Sequence, residues 1–96
     1  MDCRDLACGF DFGVEGQHRL AIEVKGLKTM RGAVLFTENE WHQAARRAAH
    51  YWLVVVGGLD RHPRAKLITN PVESLTAVSS IRRTSVVSWT AKVIIA

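Results

Sequence analysis

Cysteine is almost missing: Cys3 and Cys8 are the only two in 96 residues. Two thiols placed so closely cannot staple a small fold, so a disulfide scaffold is excluded and a reduced, cytoplasmic setting is the expectation. No apolar run approaches the roughly 20 residues that a membrane-spanning helix needs. The opening "MDCRDLACGF" carries acids where a secretory leader has bases and then an apolar stretch, which argues against export. Zinc-ligand spacing is missing as well. His18, His42, His50 and His62 show none among themselves, and Cys3 with Cys8 is not a Cys-x-x-Cys pair. With no internal repeat, low-complexity tract or linker, residues 1–96 read as a single domain around one modest core.

Acids are scarce in one half only. Residues 1–56 hold seven Lys/Arg and seven Asp/Glu, whereas residues 57–96 hold six bases against Asp60 and Glu73, so the second half carries the whole net charge of +4. That asymmetry is compatible with a polyanion partner and equally with an ordinary solvated surface. The hydrophobic content of 48% and charged content of 23% place the chain among globular proteins.

The local pattern is dominated by strands. "CGFDFGV" (8–14) alternates with a period of two, "EGQH" (15–18) reads as a tight hairpin connection, and 20–25 forms a second strand with Leu20, Ile22 and Val24 on one face. The other face holds Ala21, Glu23 and Lys25. Gly26 ends that strand, and "AVLF" (33–36) makes a third. Thr37 and Glu40 have capping-box spacing at the head of a helix over 38–50. That helix puts Trp41, Ala44, Ala45, Ala48 and Ala49 on an apolar stripe and Asn39, Gln43, Arg46 and His50 on a polar one. "YWLVVVGG" (51–58) predicts a strand buried on both faces, and "AKLIT" (65–69) another. Asn70 as cap and Pro71 at the first position open a short helix to about residue 79. A terminal strand alternates Val87, Trp89, Ala91, Val93 and Ile95 with Ser88, Thr90 and Lys92. The order β-β-β-α-β-β-α-β is a mixed sheet carrying helices, α/β bordering on α+β. Trp41, Trp52 and Trp89 fall at core positions, and "RRTS" (82–85) reads as a solvated loop.

One constellation carries chemistry. In a twisted hairpin Asp11 shares a face with Glu23 and Lys25. Two carboxylates a few ångströms apart repel and favour a divalent cation between them, and hard oxygen donors suit Mg²⁺ or Mn²⁺. A neighbouring ammonium steadies charge growing on a phosphate in transit. The plainer reading is a cross-strand charge pair on a solvated sheet face, which contributes little to stability.

"GFDFGV", "RLAIEVKGLKT" and "AVLFTENEWHQAARRAAHYWLVVV", in that order, resemble the C-terminal domain of the NO VEIN protein family, a member of the PD-(D/E)xK restriction-endonuclease-like superfamily. The likeness runs from Gly9 to Val56 and more loosely through "ITNPVESL", to about residue 79. It implies a restriction-endonuclease-like mixed sheet flanked by helices. It also implies a Mg²⁺- or Mn²⁺-dependent centre hydrolysing DNA, with Asp11 and Glu23 as metal ligands beside the Val24 carbonyl, and Lys25 as the catalytic lysine. Asn39, Gln43, Arg46, Lys28 and Arg31 are the candidate nucleic-acid contacts. Superfamily members begin with a further helix packed on the sheet, and the ten residues before Asp11 are too few to supply it. The expectation is therefore a pared-down domain or a fragment of a longer protein, with an apolar sheet face that a second copy or another chain covers. Two classes stand side by side: a metal-dependent nuclease, and a non-catalytic interaction or nucleic-acid-binding module on the same scaffold.

Overall fold

The computed structural model describes residues 10–14, 20–82 and 86–95. Cys3, Cys8 and His18, the connection over 15–18 and most of "RRTS" lie outside the described residues.

The period-two stretches become strands: β1 (Phe12–Val14), β2 (Leu20–Gly26), β3 (Arg31–Thr37), β4 (Tyr51–Gly57), β5 (Arg64–Thr69), β6 (Ala77–Arg82) and β7 (Val86–Ile94). Helix α1 (Glu38–Arg47) runs into a 3₁₀ turn (Ala48–His50) before β4, and α2 (Pro71–Ser74) is a single turn between β5 and β6. The class is mixed α and β, as its alternation of strands and helices implies.

The strands form two sheets among the described residues. One has the order β1-β2-β4-β5, with β2 and β4 parallel and the other neighbours antiparallel. The other has the order β3-β7-β6, all antiparallel. Val34 and Phe36 of β3, Ala91 and Val93 of β7, Leu53 and Val55 of β4 and Ile68 of β5 meet in one buried cluster, which places the core between the sheets. Trp41 of α1 joins it, tilted against Phe36 at 5.0 Å and stacked on Trp89 at 5.6 Å between ring centroids.

Three sequence expectations need correction. The second helix stops at Ser74 rather than near residue 79, because Leu75 is already extended and Ala77–Arg82 pair with β7 along their whole length. Val78 and Ile81 are β-branched, and a neighbouring strand outweighs the weak helix signal that the Asn70-Pro71 opening provides. Asn70 itself sits at φ 49° and caps nothing with its side-chain oxygen; its amide donates instead to Glu73 Oε2 at 2.9 Å. Strand β4 is buried on one face, where Tyr51, Leu53 and Val55 lie, while Trp52, Val54 and Val56 opposite are only half-buried. The helical stripe is also narrower than read: Trp41 and Ala44 are buried, whereas Ala45, Ala48 and Ala49 face solvent.

The capping box is formed as written. Thr37 Oγ1 accepts from the Glu40 N–H at 3.1 Å, and Glu40 Oε1 accepts from the Thr37 N–H at 2.8 Å. This fixes where β3 turns into α1 and aims α1 across the N-terminal ends of β2 and β4, where Ala44 packs on Ala21 and Tyr51.

Candidate active site

On β2 the hydropathy of the two faces is inverted. The side chains of Ala21 and Glu23 point inward and are 0% and 2% exposed, while Val24 between them and Lys25 is 40% exposed. Glu23 is therefore not a rim charge. The pairing Glu23↔Leu53 and Lys25↔Val55 puts both charged residues on the face of β4 that builds the core. Desolvating an ionised carboxylate there costs several kcal/mol unless something compensates.

Lys25 supplies the compensation. Its Nζ lies 3.1 Å from Glu23 Oε2 and 2.9 Å from Glu40 Oε1, and stands over the Phe36 ring at 5.2 Å from the centroid. Glu40 thus has two tasks, closing the capping box and holding the lysine. Glu23 Oε1 is buried with no hydrogen-bond partner. Burial raises the Glu23 carboxyl to about 7, Lys25 pulls it back in part, and the adjacent Glu40 charge pushes it up again. For Lys25 burial works against the charge, yet its bond to Glu40 and the two carboxylates prevail and hold it above its ordinary value. Glu40 suffers the same burial, but the Thr37 N–H and Lys25 bring it below the usual carboxylate range.

Asp11 enters from β1. One residue before the registered pair Phe12↔Ile22, its N–H donates to the Ile22 carbonyl at 3.0 Å and its Oδ2 accepts from the Val24 N–H at 2.8 Å. Tyr51 is fully buried at the start of β4. Burial drives the Tyr51 phenol well above its ordinary value, and the charges of Glu23, Glu40 and Asp11 push the same way against Arg47.

The structure joins Glu23, Lys25 and Glu40 through ion pairs, and ties Asp11 to the same strand through the Val24 N–H. It adds two residues that pattern reading misses. Glu40 is legible in the sequence only as a cap, by its spacing from Thr37. Tyr51 was read only as core.

The helix contributes less uniformly than expected. Gln43 lies on Glu40's stripe, where its Oε1 accepts from Arg47 Nε at 3.2 Å, and the Arg47 guanidinium covers the Phe10 ring at 4.6 Å. Arg47, rather than Arg46, is the helix arginine turned toward the cluster. Asn39 and Arg46 are exposed on a neighbouring stripe. Lys28 and Arg31 lie at the other end of the sheets, beyond Gly26 and at the start of β3, and Arg31 is six strand rises, about 20 Å, from the cap of α1.

A hard cation takes carboxylate and main-chain oxygens, and Glu23 keeps a buried carboxylate oxygen without a hydrogen-bond partner. Among the described residues no group of three or more His, Cys, Asp and Glu side chains stands in a metal-holding arrangement.

A mixed α and β fold with an inward acid-and-lysine cluster at the junction of β1, β2 and α1 is the class that these observations define. The model of the family described as Protein NO VEIN, C-terminal, matches residues 2–68, and the chain belongs to that family. No curated protein matches. No solved structure matches.

Proposed function

We propose that this domain is a nuclease-like module of the PD-(D/E)xK type that hydrolyses DNA phosphodiester bonds. The observation that carries the reading is the buried Glu23 carboxylate, which pairs with Lys25 through one oxygen and keeps the other unpartnered. A chain does not bury such a group without a use for it, since an apolar residue there costs less. Asp11, Glu23 and the Val24 carbonyl would hold Mg²⁺ or Mn²⁺, which supplies Lewis acidity toward a phosphoryl oxygen and lowers the pKa of a bound water. Lys25, kept charged by Glu40, places a positive group where negative charge grows on the phosphate. Gln43 and Arg47, with exposed Asn39 and Arg46, offer polar contacts to the backbone of a DNA strand entering over α1, and Lys28 with Arg31 a second, distant one.

Titration with Mn²⁺ and Mg²⁺ tests this directly. The chain is expected to bind one divalent ion, and Asp11→Ala and Glu23→Ala are each expected to abolish binding. Binding that is absent, or indifferent to both substitutions, contradicts the reading.

A second reading has its own observation. Lys25 already pairs with both Glu23 and Glu40, as a non-catalytic binding module that keeps the scaffold would show. An apolar outer face on the four-stranded sheet supports a covering chain in either case. Val14, Val24 and Leu67 there are 49%, 40% and 51% exposed.

A further inference from the structure

Away from the acidic cluster, a groove of about 440 Å³ runs between the free edge of β5 and the end of β7. Among the described residues two strand edges lack a neighbouring strand there, although Ser74 Oγ donates to the Thr69 carbonyl at 2.7 Å. On β5, the Asn70 N–H donates to the Tyr51 carbonyl at 3.0 Å, which sets the alternation of the ladder. Ile68 and Lys66, two and four residues back, exchange bonds with Leu53 and Val55, so the N–H and C=O of Leu67 turn away from β4 along the open edge. On β7, pairing with β6 starts only at Ala91↔Ala77, so Lys92–Ile94 run past the end of β6 with β3 as their registered partner.

The groove's chemistry is specific. Leu67, Leu75 and Val93 give it apolar walls, and Lys66 and Lys92 are its charged lining residues, with no carboxylate among those described. Lys66 Nζ donates to the Ile94 carbonyl at 2.9 Å, which ties one sheet to the other and sets a positive charge at the groove. Open backbone edges, apolar walls and cations of one sign are together what an extended acidic polypeptide requires: main-chain bonds along β5, apolar side chains inward and carboxylates on the lysines. A nucleic-acid strand would use the two cations but leave the open edge and apolar walls unused, and among the described residues no aromatic ring lines the groove for base stacking.

We propose that this groove docks an extended acidic peptide segment as an added strand on β5. The site is separate from the acidic cluster, so its failure and the failure of the nuclease reading are distinguishable. The test is titration of the ¹⁵N-labelled chain with a blocked octapeptide of alternating valine and glutamate, with an alternating valine and lysine octapeptide and a single-stranded DNA oligonucleotide in parallel arms. The glutamate peptide is expected to shift the amides of residues 65–69 and 92–94, and the lysine peptide to bind at least tenfold more weakly. Lys92→Glu, at an exposed position, should weaken the glutamate peptide at least fivefold while the spectrum stays that of a folded chain. Equal binding of both peptides, shifts confined to other residues, no binding, or perturbation of these amides by the oligonucleotide instead of the peptide would each overturn the proposal.

Discussion

Glu23 decides most of what is distinctive at the residue scale. Its carboxyl titrates near 7 in the folded chain against 4.5 for the ordinary group. A carboxyl raised on folding binds a proton that the unfolded chain releases, so its contribution to stability is complete below the ordinary value and disappears as pH rises through the folded one. Between pH 4.5 and about 7 the fold should therefore lose about 2–3 kcal/mol through this group. Glu40, shifted down, and Lys25, shifted up, act outside that window. Urea denaturation at pH 5 and pH 7.5 measures it: wild type is the more stable at pH 5, and Glu23→Gln flattens the difference. An unchanged pH dependence in Glu23→Gln would show that the carboxyl is ionised throughout. Metal binding should follow the opposite trend, since the ion needs the carboxylate that acid removes.

At the scale of elements, the β3–α1 junction joins stability to the site. Thr37→Ala removes the hydroxyl that caps Glu40's N–H and releases one half of the reciprocal bond. A lost N-cap costs about 1 kcal/mol. Because Glu40 also holds Lys25 at 2.9 Å, the same substitution should lower the pKa of Lys25 while leaving β2 in place. Thermal denaturation and the titration of the Lys25 ammonium by NMR check the two parts, and a stability loss with no change at Lys25 would separate the cap from the site. This junction was legible in the sequence, since Thr37 and Glu40 stand at the required spacing. The partner of Glu40 was not legible, because the inward direction of Lys25 depends on which face of β2 meets the second sheet. By hydropathy Leu20, Ile22 and Val24 claim that face; the register with β4 gives it to Ala21, Glu23 and Lys25. Strand β6 was hidden for a related reason. Its partner β7 lies beyond the local window in which the Asn70-Pro71 signal is read, and no local pattern announces that one expected sheet divides into two.

For the whole molecule, the consequence of that inversion is an apolar outer face. Ile22 stands beside Trp52, and Val24, Val54 and Leu67 line up across three strands in register, half-buried or exposed. Contiguous apolar surface of this kind is rare on monomers and marks a surface that another chain covers. We expect the chain to self-associate, with Val54→Lys shifting it toward monomer. Sedimentation velocity from micromolar to hundreds of micromolar reads this out, and a single monomeric species across that range contradicts it. Among the described residues no helix is long and apolar enough to cross a membrane.

On the function proposed above, Lys25, Glu23 and Asp11 act together on a phosphodiester bond. Incubation of supercoiled plasmid with the chain in Mg²⁺ or Mn²⁺, beside Lys25→Met and an EDTA control, tests it most directly. Lys25→Met keeps an unbranched stem against Phe36. Metal-dependent nicking is expected, abolished by EDTA and reduced at least a hundredfold by Lys25→Met with divalent-ion affinity retained. Nicking that survives Lys25→Met, or a folded wild-type chain that binds metal and leaves the plasmid intact, contradicts it.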